Sequence, residues 1–505
     1  MWRISSVYIA LILSVFLLAI PPGGYEQIIG FKYTLFLLIS GGYVVLSLLL
    51  RGQLAATGIR PIGNIGKKIK DIPLAAKLLV LYILFVGISA IFSDYGGTFR
   101  GPFRQEGVLT IAIYVMSCLI LAKYFRPHKW MLFALGGATL LFCAISFVQL
   151  TGANPFTLFP EGYNYYGAGV HFAGEFLGTI GNAGLGGAFL GIAAGVLSMA
   201  LIKLDFRLKW ILAIPLFMSC LLIFEMGVDA AVVALIGGIV LILPVAITNH
   251  HEATRTFAIL SIIAFAFVMS QVLNFSYAGL SLAMPNALLI IAIIGLISLT
   301  AALRIFGEKI PKKYFRPVAI FAAIAVAPLA ILYIWFFGQN HGGMIGEIAE
   351  ILRGNLDVAF GSGRVYIWSN IFERLQASNL LLGTGPDTLG HWGIAPFIEY
   401  VPALGVSLIT QIDTAHNEFL QILATTGLLS LLAYMGALAI LAIHWFKNPG
   451  NKISAIAGAG VLFYSIQAMF GISMFITAPF FWACLAVLIY SQQKNKDKEE
   501  RINDN

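Results

Sequence analysis

The chain has 505 residues, of which 59% are hydrophobic and only 11% charged. That composition excludes an ordinary water-soluble globule and indicates an integral membrane protein. The net charge of +8 is spread over short connections between apolar runs, so it reads as a topology signal and leaves nucleic-acid binding unsupported.

Apolar runs long enough to cross a bilayer recur along the whole chain. They lie at about residues 7–20, 31–50, 73–92, 107–125, 129–150, 177–202, 208–226, 229–248, 255–273, 284–303, 317–337, 418–446, 453–470 and 473–490. The first run resembles a signal peptide, with Arg3 ahead of a short apolar core, but no small-residue cleavage pattern precedes Pro21-Pro22, so it reads as a retained span. The predicted fold is all-α: a single polytopic membrane domain over 1–505 with about 12–14 transmembrane helices, a cytoplasmic tail at 491–505, and one large extracytoplasmic loop at 338–417 containing short helices.

Orientation follows from Lys and Arg. Of the 31 basic residues, 25 fall at the N-terminus, in alternate connections or in the C-terminal tail, which predicts that both termini are cytoplasmic. The remaining six are Lys32, Arg100, Arg104, Arg353, Arg364 and Arg374. Five of these six outward cations are arginine, whose planar fork binds phosphate in a bidentate manner and suits a diphosphate-bearing ligand. Chance avoidance of Lys in translocated loops accounts for the bias equally well.

Smaller outward loops are expected near 93–106 and 151–176. The second leads into Gly178-Thr179-Ile180-Gly181-Asn182, and further glycines at 184, 186, 187 and 191 suit close helix packing or a broken helix entrance. In the large loop, 344–352 and 365–377 read as helices. The latter places Ile367, Trp368, Ile371, Phe372 and Leu375 on one face, fit either for the lipid interface or for packing against other loop segments. Ser362 is a predicted N-cap, which puts Arg364 in the first turn. A cation there is unfavourable by about 0.3–1 kcal/mol unless an anion sits between it and the helix start; a solvated loop arginine is the plainer reading.

Asp413-Thr414 reads as an N-cap pair for the next span, so His416 falls at the outer helix start, where the neutral form needed by a base is favoured. A capping or interfacial histidine is the simpler alternative. Asp413 or Glu418 could orient His416 or replace it as base. His171, His341 and His391 are scattered, and no metal-ligand spacing is present. No G-x-S-x-G lies in strand-to-helix context. Cys118, Cys143, Cys220 and Cys484 all fall within spans and read as packing residues.

Several blocks, taken in order, resemble the O-antigen ligase and polymerase family of bacterial envelope glycosyltransferases. They are Ser93 with Gly101-Pro102-Phe103-Arg104-Gln105-Glu106-Gly107, Gly178-Thr179-Ile180-Gly181-Asn182, Gly363-Arg364 with Trp368, Leu382-Gly383-Thr384-Gly385-Pro386, and His416-Asn417-Glu418-Phe419-Leu420 with Gly427. The resemblance implies a multi-pass protein of the bacterial cytoplasmic (inner) membrane with an extracytoplasmic active site and no cofactor. Its donor would be a polyprenyl-diphosphate-linked glycan, and its acceptor a sugar hydroxyl on a glycan, lipid or wall polymer. It further implies that Arg364 contacts the diphosphate and that His416 assists acceptor deprotonation or leaving-group binding. Arg104, Arg100, Asn417 and Asn182 are further candidates for substrate binding. Family members often carry another arginine at the outer start of a mid-chain span, whereas Glu225-Met226-Gly227-Val228-Asp229 stands here; Arg104 or Arg100 could supply that charge.

Outward arginines without acidic metal motifs suit a metal-independent transfer. The alternative is a flippase or transporter of lipid-linked saccharides, which should carry charged residues deep in its helices and paired broken helices. A third possibility is a metal-dependent transferase using Asp94 or Glu106.

Overall fold

A computed structural model describes residues 1–56, 72–167, 174–276, 279–376, 379–401 and 406–503. His171, most of the basic connection at 51–77, residue 377 at the end of the second predicted loop helix, and the last two tail residues lie outside these. Each of the fourteen apolar runs is helical for most of its length, and ten helices are long and apolar enough to cross a membrane. The protein is an all-α, multi-pass membrane helix bundle.

The helices, in order, are α1 (Trp2–Leu11), continued by a π-turn at Ile12–Phe16; α2 (Ile28–Phe36) and α3 (Gly42–Ala56), joined through a second π-turn; α4 (Leu74–Ile91); α5 (Val108–Tyr124); α6 (Lys129–Leu150); α7 (Ala183–Lys203); α8 (Ala213–Glu225); α9 (Asp229–Ala246); α10 (His250–Val272); α11 (Ala287–Phe306); α12 (Phe315–Phe337); α13 (Gly343–Leu352); α14 (Arg364–Leu375); α15 (Glu418–Lys447); α16 (Lys452–Ala468); and α17 (Ala478–Asn503). Two antiparallel hairpins absent from the sequence reading interrupt this pattern. One pairs β1 (Leu273–Ser276) with β2 (Gly279–Leu282), and the other pairs β3 (Phe397–Val401) with β4 (Val406–Thr410).

Helix α7 forms the centre of the bundle, buried along its length and packed most closely against α16. Small residues permit the approach: a Cβ on Gly195 would stand 2.9 Å from Ala459 O, and one on Gly460 would stand 2.8 Å from Val196. By contrast, α11 contributes no buried residue and α12 only Phe315 and Ala319, so these apolar helices present most of their surface to the surroundings.

Connections sort to two ends. At one end Asp205 pairs with Arg255 and Lys452, and Lys203 pairs with Glu252. At the other, the 93–107 loop, the long 338–417 segment and the turn at 470–475 are joined by hydrogen bonds. Lys32, counted among the outward cations, departs from expectation. It is buried within the bundle and donates to Phe16 O and Leu17 O at 2.6 and 2.9 Å, occupying carbonyls left free where the first helical segment ends.

Candidate functional site

The site is organised by a broken helix. Helix α15 is interrupted at Gly427 (φ 85, ψ 173), a backbone conformation open essentially to glycine alone. Freed groups in an apolar span need partners, and the Leu380–Gly385 segment supplies them. Leu428 N donates to Leu380 O at 2.9 Å, and Gly385 N donates to Thr425 O at 2.7 Å. Ser89 Oγ also donates to Thr425 O, while Ser93 Oγ donates to Thr384 O at 2.6 Å. Two sequence blocks far apart in the chain thus form one joint.

The 99–107 loop is clipped to the same joint by Asp387. This carboxylate is 4% exposed and accepts the backbone N–H groups of Phe103 and Arg104 at 2.9 and 2.7 Å. Burial raises its pKa, against the lowering effect of those two bonds. The clip presents Arg104 to Asp413 in a bidentate pair, Nε to Oδ2 at 2.9 Å and Nη2 to Oδ1 at 2.8 Å. Asp413 is therefore committed to Arg104 and is not a helix cap. The cap of α15 is Asn417, whose Oδ1 accepts from Leu420 N at 3.0 Å. The shift from the predicted Asp413-Thr414 pair arises because the chain turns through the left-handed region at His416 (φ 46), delaying the helix start.

His416, Arg104, Asp387, Asn417 and Glu418 line one narrow cavity of about 70 Å³, together with Glu106 and the turn Gly471-Ile472-Ser473. Burial lowers the His416 pKa to about 4, and the charges of Arg364 and Arg104 push in the same direction, so the imidazole is neutral near pH 7. At the cavity wall Glu418 accepts from Tyr434 and Tyr464 hydroxyls at 2.7 and 3.1 Å. Glu106 accepts from the Tyr114 hydroxyl at 2.8 Å and Phe475 N at 2.6 Å, and burial raises its pKa well above the usual range. The buried Thr414 Oγ1 has no hydrogen-bond partner among the described residues.

Arg364 stands beside this cavity, not in its lining. Its Nε donates to Phe470 O at 2.9 Å, and Gly471, the next residue, does line the cavity. Nη1 donates to Gly361 O. Burial lowers the Arg364 pKa, while Asp229 and Glu347 act to raise it. The predicted Ser362 cap is replaced by Gly363 at φ 77, because Ser362 itself adopts φ 56 and its side chain makes no capping bond. Helix α14 buries Ile367, Ile371 and Leu375 against Leu389, Trp392 and Ile412, so its apolar face packs on other loop segments. Trp368 Nε1 donates to Ala415 O at 2.8 Å, tying α14 to the residue before His416.

Two candidates lie elsewhere. Arg100 is exposed and stacks over the Tyr33 ring at 5.2 Å. Asn182 caps α7 by accepting from Leu185 N at 2.9 Å. Asp387 was missed from sequence; the Gly385-Pro386-Asp387 order was a turn signal whose carboxylate could have been weighed. Among the described residues no three His, Cys, Asp or Glu side chains are grouped to hold a metal.

Residues 273–435 match the family model described as O-antigen ligase. Over that stretch the chain is similar to the O-antigen ligase family. The match takes in the broken helix, α14 and His416, and ends inside α15. That similarity supports a membrane glycosyltransferase-like ligase activity in polysaccharide biosynthesis. No curated protein matches the chain.

Proposed function

We propose that the chain transfers a glycan from a polyprenyl diphosphate carrier to an acceptor sugar hydroxyl, without a metal, on the extracytoplasmic face of the bacterial cytoplasmic membrane. The observation carrying this reading is a neutral imidazole and a fixed guanidinium lining one cavity, with a second arginine acting on the same imidazole. In the proposed step His416 takes the acceptor hydroxyl proton as the oxygen forms its bond to the anomeric carbon. The carbon–oxygen bond to the carrier breaks, and the departing diphosphate keeps the electron pair. Arg364 and Arg104 offset the charge developing on it. Arg104 stands in for the family arginine absent near Asp229, and Asn417 orients the helix start beside the base. The loop at 338–417 forms the outer cap of a single membrane domain, with both termini and the 491–505 tail in the cytoplasm.

Purified protein given a polyprenyl-diphosphate glycan and candidate glycan, lipid or wall-polymer acceptors is expected to yield an extended acceptor and free carrier diphosphate by mass analysis. The yield should be unchanged by chelator. Activity lost with chelator and restored only by a divalent ion would contradict the proposed chemistry, and carrier movement across vesicles without a new glycosidic bond would favour transport.

Arg104→Lys keeps the charge but not the fork, and is expected to lower transfer about tenfold or more, the scale of one charge-assisted hydrogen bond. Asp413→Asn should act in the same direction. If the pair works as a unit, the double variant will be no slower than the slower single variant.

A further inference from the structure

A second cavity, of about 280 Å³, opens at the opposite end of the bundle from His416. Helix α5 measures the separation: Glu106, just before it, lines the first cavity, and Phe125, just after it, lines the second. Its 17 residues span ~25 Å at ~1.5 Å per residue. The walls are apolar and come from five helical segments, with Leu13, Leu132, Val196, Ile456, Phe480 and Val487 among them. Along α7 the wall runs from Ile192 to Leu204, ~18 Å of rise against ~15 Å for half the bilayer hydrocarbon core. The slot is one leaflet deep.

Its rim is basic and aromatic. Pro127, His128 and Lys129 line the mouth, and Arg126 is exposed beside them. The Arg126 guanidinium lies 5.0 Å from the Trp2 ring, and Lys129 Nζ lies 4.7 Å from the Phe206 ring. Among the described residues neither Arg126, His128 nor Lys129 has an ion pair; the nearby Asp205 is held by Arg255 and Lys452 at 2.7 and 2.5 Å. Rings at such a rim sit at headgroup level, and cations there attract anionic lipid.

We infer that this slot holds one acyl chain of an anionic phospholipid from the leaflet opposite the His416 cavity, with the headgroup phosphate at Arg126 and Lys129. The depth of the slot accounts for a chain, and the unpaired rim cations account for the anion. The site is independent of the proposed transfer reaction.

The test uses full-length protein reconstituted with equal phosphatidylglycerol and phosphatidylcholine, released into detergent and weighed intact. One phosphatidylglycerol is expected to remain bound in preference. Arg126→Gln and Lys129→Gln should each reduce its retention about fivefold, and Ala457→Phe, which fills the slot, should abolish retention of either lipid. Equal retention of the two lipids, retention unchanged in both rim variants, or displacement by an equimolar polyprenyl monophosphate would overturn the inference. Should Ala457→Phe not fold, the exposed rim variants decide the matter alone.

Discussion

Replacing His416 with alanine is expected to lower glycan transfer by about 10²–10⁴-fold, the usual contribution of a positioned general base. Folding should be little affected, because the imidazole borders the cavity and makes no hydrogen bond that caps the helix, the cap of α15 being Asn417. The pH profile separates a base from a packing residue. With a pKa lowered to about 4, the imidazole is neutral throughout pH 6–8, so this group adds no pH dependence there. As pH falls toward 4 the base takes up its proton in advance and the rate declines, an acid limb that the alanine variant should lack. A limb centred near the ordinary histidine value of about 6.5 would mean that the imidazole is not buried near the Arg364 and Arg104 charges as described. Full activity of His416→Ala would remove it from the reaction altogether.

Gly427→Ala is expected to be severely damaging. The added Cβ would meet Leu381 O at 2.2 Å and the carbonyl carbons of Leu381 and Leu382 at 2.5 Å. All three are backbone atoms, so no rotamer change relieves the contact. The backbone conformation alone costs a non-glycine residue about 1–3 kcal/mol, and separating the two segments would strand the bonds at Gly385 and Leu428. The measurement is the yield and thermal stability of purified protein, with Gly436→Ala as control: its nearest Cβ contact is the flexible Leu78 side chain at 3.2 Å. A Gly427→Ala protein as stable as the control would show that the joint between the broken helix and the 380–385 segment is not needed for folding.

How much was legible depends on the range of the interaction. The apolar runs required no partner to be recognised, because water and lipid impose their length on any sequence. Arg364 and His416 were singled out by the order of their blocks, and the neutral state of His416 was anticipated, although on a helix-end argument. Burial and two arginine charges are the larger physical causes. The capping residues were misplaced in both instances, and for one reason. Ser362 and His416 take left-handed backbone conformations, which shift the first helical residue and arise from the closure of the loop on its neighbours. The hairpin β3–β4 escaped because it is short and flanked by helical patterns. The amphipathic face of α14 suited lipid and protein equally until Leu389, Trp392 and Ile412 were found against it.

By itself the amino-acid sequence determined the membrane class, the fourteen apolar helices and the polar segment between α12 and α15, since each rests on local hydropathy over about twenty residues. Only the tertiary structure decided that Asp387 clips the 99–107 loop, that Asp413 serves Arg104, and that Arg364 bonds the Phe470 carbonyl beside the cavity. These are pairings between residues from tens to hundreds of positions apart, and no local pattern encodes which polar group will be brought to which once the helices pack.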